Sequence, residues 1–180
     1  YYDRFRGRIM FPISDLSGNV VAFGGRVLGD GEPKYLNSPE TPVYTKGRTL
    51  FGLHATRDAV RKRDSAVIVE GYFDFLALWI AGVENVVASL GTALTRDQVE
   101  LVKRFTRNIV LIFDPDEAGR HAAERSLQLF LEEKMHSRIV TLPGGCDPAD
   151  YVAQFGAGKV AAALAQSQSM VDYYIDNVIG

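Results

Sequence analysis

A chain of 180 residues, 47% hydrophobic and 23% charged with a single cysteine, has the make-up of one globular domain or a domain with a smaller companion. That composition excludes an internal disulfide framework and a cysteine-built zinc cluster; with no leader-like start and no apolar run near the ~18 residues of a membrane helix, a cytoplasmic protein is expected. The net charge of −2 hides an imbalance: residues 1–63 hold 11 Lys/Arg against 6 Asp/Glu, and residues 64–180 hold 9 against 16. A basic block joined to an acidic one points to a polyanion held by the first and a metal by the second, with two solvated surfaces of opposite sign as the alternative.

Arg8 to Ser14 and Val20 to Leu28 read as strands of a hairpin, joined by the glycine-containing loop 15–19. Gly24-Gly25 inside the second strand predicts a bulge, or a close approach of backbone to a ligand. The stretch 29–47, rich in Gly, Pro, Ser and Thr, reads as a loop that carries Lys34, Asn37 and Lys46. His54 to Arg63 follows as a short helix with Arg57, Arg61, Lys62 and Arg63 exposed, for solvation or for phosphate contact.

From Asp64 onward the pattern alternates. Strands are expected at 66–70, 85–89, 108–114 and 138–142, with helices at 72–81, 95–106, 117–134 and from 148. Such βαβ repetition predicts a parallel sheet covered by helices. Phe73, Leu76, Ala77 and Ile80 stand at i, i+3, i+4, i+7, the expected core face of the first of these helices. Thr95-Arg96-Asp97-Gln98 is a capping box. The tail 159–180 is helical in pattern and ends without a stop signal, as in a longer chain cut short.

Two strand ends carry acids. Glu70 follows the buried run Ala66 to Val69, and Asp114-Pro115-Asp116 follows Ile109 to Phe113. Ligands of open α/β sheets bind outside the carboxyl ends of the strands. If these two strands are neighbours, Glu70, Asp114 and Asp116 converge, and a divalent cation removes the repulsion that raises their pKa values. Asp-Pro-Asp is also turn and cap chemistry, so a plain turn stays open. Asp147 reads as an N-cap with Pro148 at N1 and Asp150 at N3; both acids are also candidate ligands. His54, His121 and His136 lack metal-site spacing.

RFRGRIMFPI, VVAFGGRVL, PKYLNSPETPVYTKG, LFGL, VEGYFD, VASLGTALT, FDPDEAGR and DPADY occur in the order seen in the catalytic core of bacterial DnaG-type primases, which residues 4–151 resemble. The resemblance implies a TOPRIM metal-binding domain over 65–156, a Rossmann-like parallel sheet flanked by helices. A small basic α/β subdomain would precede it at 1–64, and a helical segment would begin at 157–180. It makes Glu70, Asp114 and Asp116 the central acids, adds Asp74, Asp147 and Asp150 around the metal, and assigns Arg6, Arg8, Arg26, Lys34, Asn37 and Lys46 to nucleotide or template. Two positions depart from the family pattern: Pro115 stands where glycine is usual, and Ala149 replaces the second acid of a DPD motif, with Asp150 beside it.

What the resemblance implies is template-directed synthesis of RNA primers on single-stranded DNA from NTPs, with two or more Mg²⁺ or Mn²⁺ ions and no zinc in this segment. The implied partners are template, NTPs, RNA primer and, through another module, the replicative helicase; no membrane is involved. A TOPRIM nuclease, a topoisomerase-type domain and a fragment that binds nucleic acid and metal without catalysis are the alternatives.

Overall fold

The structure, a computed structural model, describes residues 2–90, 93–113 and 117–176. Its amino-terminal part is an antiparallel sheet of β1 (Arg8–Ser14), β2 (Val20–Val27) and β3 (Tyr35–Asn37). Alternation puts Phe11 and Ile13 in the core, and Pro12 is tolerated because β1 is an edge strand. Asp15 builds the hairpin loop by accepting the N–H groups of Ser17 and Asn19 at 2.8 and 2.9 Å.

Several expectations are corrected here. The one register shift of β1–β2 falls at Ile13/Ser14, so Gly24-Gly25 is no bulge. Gly24 instead admits the Tyr72 ring, since a Cβ there would stand 2.1 Å from its hydroxyl oxygen. The loop expected at 29–47 contains β3 and a 3₁₀ turn at Lys46–Arg48. Three residues are too few to show a period, and β3 exists because it pairs with Gly24–Arg26. In α1 (Leu53–Arg63), Arg57 is half-buried and donates to the Leu16 carbonyl, so it pins the hairpin loop.

The second sheet has the order β5-β4-β6-β7-β8. Four parallel strands, β4 (Ala66–Val69), β5 (Val86–Ala88), β6 (Asn108–Ile112) and β7 (His136–Val140), alternate with α2 (Tyr72–Ile80), α3 (Arg96–Lys103) and α4 (Glu117–Glu132). Val67 and Val69 face a core shared with α2, α5 (Pro148–Ala165) and the first sheet. Ala66, Ile68, Ile109 and Leu111 face a second core against α1, α3 and α4. Side chains of opposite parity along one strand thus separate two hydrophobic layers.

On α2 the core face is Tyr72, Phe75 and Leu78, whereas Ile80 is 82% exposed. YFDFLALWI is apolar nearly all round, so spacing alone could not select the buried side. β7 lies two residues earlier than expected, paired with Asn108–Ile112. The tail is not one helix: α5 kinks at Gly156 (φ 75°), and after Gln166 come β8 (Gln168–Ser169), antiparallel to β7, and α6 (Met170–Tyr174). Arg138 draws the chain back onto β7 through the hydroxyl and carbonyl of Ser167, making the sheet mixed. Among the described residues no helix is long and apolar enough to cross a membrane.

Candidate active site

β4 and β6 are neighbours, in register Ile68↔Leu111. From β4 the chain crosses to β5 on one side, and from β6 to β7 on the other, so the connections diverge between these two strands. Glu70 leaves the end of β4 at that point, and Phe113 leaves β6 beside it. Asp114 and Asp116, with Pro115 between them, lie outside the described residues.

Asp74, the third residue of α2, fixes the turn after Glu70. One carboxylate oxygen accepts the Gly71 N–H at 3.0 Å, and the other accepts the Ala149 N–H at 3.3 Å. A side chain on Gly71 would meet that carboxylate at 2.7 Å. One acid therefore ties the Glu70 turn to the loop before α5. Asp147 caps α5 by accepting the Asp150 N–H at 2.7 Å, and both residues line the same cleft. Capping and site-facing roles coexist.

The cleft measures about 780 Å³. Glu70, Asp74, Asp147 and Asp150 line it together with Arg26, Lys34, Asn37 and Lys46. Eight of the expected residues thus come together. Arg6 and Arg8 do not line it: Arg6 lies over the Tyr2 ring at 5.6 Å, and Arg8 donates to the Gly25 and Lys34 carbonyls, both at 3.4 Å. Lys46 is held by a residue read from the sequence only as a helix cap. Gln98, fully buried, accepts the Thr95 N–H and donates to the carbonyls of Lys46 and Thr49 at 3.2 and 2.8 Å.

Beyond the residues expected there, Tyr35, Tyr72, Phe73 and Leu90 also line the cleft. Tyr35, 41% exposed, and Phe73 flank the Arg26 guanidinium at 5.7 and 4.6 Å from their ring centroids, a stacked cation. The adjacent Lys34-Tyr35, an aromatic interleaved with basic residues, was the available signal. Leu90 lines the floor with φ 67°, a left-handed conformation that costs a residue with a side chain ~1 kcal/mol or more and gathers at functional sites.

Among the described residues the charged donors that line the site are carboxylates, hard oxygen ligands of the kind that suit Mg²⁺ or Mn²⁺. Among the described residues no three acids, histidines or cysteines form a ready cage. Mg²⁺ does not require one, because it is usually held by one or two carboxylates with water and phosphate oxygens.

The model of the DNA primase catalytic core N-terminal domain matches residues 1–57, and a Toprim-like model matches residues 67–152. The chain is 49% identical to a DNA primase of Synechococcus elongatus, over 99% of its own length and 27% of that protein's. It is 48% identical to one of Halalkalibacterium halodurans, over 88% and 26%. The chain therefore spans about a quarter of these relatives. Among solved structures it superposes on a DnaG catalytic core with TM-score 0.91 and 41% identity, covering 99% of this chain and 58% of that one. A DnaG primase catalytic domain bound to ssDNA gives 0.90 and 42%, covering 98% and 57%.

Proposed function

The chain belongs to the bacterial DnaG-type primase family, and on that footing we propose that it forms part of the catalytic core that makes RNA primers on single-stranded DNA. Its second sheet with the flanking helices has the Toprim fold. The observation that carries the proposal is the cleft itself, where acids at a strand-end switch point and basic side chains line one cavity. In the same reading residues 1–64 are a basic subdomain, 65–156 the metal-binding domain and 157–180 the start of a helical segment.

In primer synthesis a ribonucleotide 3′-hydroxyl attacks the α-phosphorus of an NTP, a P–O bond forms, and pyrophosphate leaves. Glu70, Asp114 and Asp116 would hold two divalent ions, with Asp147 and Asp150 at the rim. Such ions, when bound, lower the pKa of the attacking hydroxyl and neutralise charge on the phosphates. Glu70 orients that hydroxyl or takes its proton. Arg26, Lys34 and Lys46, lining the same cleft, meet phosphate oxygens of triphosphate or template. Asp74 acts indirectly, by holding the Glu70 turn against the Asp147 loop. RNA primer is the product, the replicative helicase a partner through another module, and the cytoplasm the place of action.

The test uses the full-length protein with single-stranded DNA, NTPs and Mg²⁺ or Mn²⁺. The expected result is NTP-dependent RNA synthesis, reduced by about a hundredfold or more in Glu70→Gln without loss of fold. The divalent ion is expected to raise the melting temperature, with a smaller gain in that variant. Wild-type synthesis by Glu70→Gln, or strand cleavage in place of synthesis, would reject the proposal.

A further inference from the structure

Tyr72 is 3% exposed, with its ring stacked on Phe11 at 4.6 Å between centroids and met edge-on by Phe51 at 4.8 Å. It is the first residue of α2, two after Glu70, yet its hydroxyl donates to Asn37 Oδ1 in the other sheet at 2.7 Å. Gly24 opens that path. It pairs with Asn37 across β2–β3, so both point to one face of the sheet, and any side chain on Gly24 would fill the space of the hydroxyl. A carboxamide whose oxygen is engaged in this way presents its NH₂ group elsewhere, and Asn37 lines the cleft.

We propose that Tyr72 is a positioning residue for nucleotide binding: its hydrogen bond sets the Asn37 carboxamide so that the NH₂ group meets an oxygen of the bound nucleotide. The inference rests on the primase reading and deepens it. The link also fixes how far the basic sheet stands from Glu70, because one short segment carries both Glu70 and the tyrosine.

The probe is Mg-ATP with the full-length protein, read as a dissociation constant by calorimetry and as KM in primer synthesis. Tyr72→Phe keeps the ring and removes the donor. It is expected to raise both constants by about three- to tenfold, with kcat at saturating NTP falling by less. In an Asn37→Ala background the same change should add about twofold at most. An equal penalty in both backgrounds, or no penalty in either, overturns the proposal. Asn37→Asp leaves Tyr72 an acceptor and replaces the NH₂ group by oxygen, so it should weaken ATP more than Asn37→Ala; equal or tighter binding also overturns it. Should the wild type bind ATP but make no primer, the primase reading fails while the dissociation constants still decide the role of Tyr72. Should it bind no ATP, both fall.

Discussion

Lys46 is half-buried at the edge of the cleft, and the loss of hydration pushes its pKa below the usual lysine range. A phosphate beside it would restore the charged form, so binding and protonation are linked. As pH rises through the lowered pKa, the free protein loses the charge and must take up a proton to bind. NTP affinity is therefore expected to fall across the alkaline range below the ordinary lysine pKa, and less steeply in Lys46→Arg, whose guanidinium stays charged. Dissociation constants measured across that range check it, and parallel slopes would remove Lys46 from the phosphate site. At this scale the acids were the readable part. Glu70 stands where a buried strand becomes a helix, a pattern contained in a dozen consecutive residues. Gln98 and Tyr72 were not readable in their second roles, since their partners Lys46 and Asn37 lie 52 and 35 positions away.

The α3–α4 pair is fastened by two carboxylates: Glu132 pairs with Arg96, and Glu133 with both Arg96 and Lys103. Glu133, just past the end of α4, accepts from Lys103 Nζ at 3.0 Å and from Arg96, and these partners hold its pKa below the ordinary 4.5. A depressed pKa gives stability that is present above the unfolded value and lost as pH falls through the folded one. Glu133→Gln should accordingly melt below the wild type at neutral pH, and the gap should close as pH drops below about 4. A gap that stays constant across the titration would mean the carboxylate charge is not what joins the helices. Elements of full length were legible from period and caps: α3 begins at its predicted Thr95–Gln98 box, and α5 at Asp147. The short strands were not. β3 and β8 have three and two residues, and each exists only because a distant strand supplies hydrogen-bond partners.

The charge imbalance between residues 1–63 and 64–180 becomes, in three dimensions, a cleft to which the first block brings cations and the second acids. A polyanion held by these cations must release counterions, so single-stranded DNA binding should weaken steeply as salt rises. Replacing Arg26 or Lys34 by Ala should reduce the slope of log K against log salt by ~0.7 each. Fluorescence anisotropy over a salt series measures this, and a slope unaltered by either change would place the template elsewhere. The parallel arrangement of β4 to β7 followed from βαβ alternation alone. The packing of the first sheet over α2 did not, because it depends on Gly24 leaving room for a tyrosine 48 positions later.

Both outer strands of the parallel set, β5 and β7, are shielded. Phe51 exchanges two backbone hydrogen bonds with Ala88 outside β5, at 2.9 and 3.0 Å, and β8 lies along β7. Unshielded strand flanks recruit further strands from other molecules. The nine residues from 166 to 174 thus act as a guard against self-adhesion, and a version trimmed back to Ala165 would gain a sticky rim while keeping every group of the described cleft.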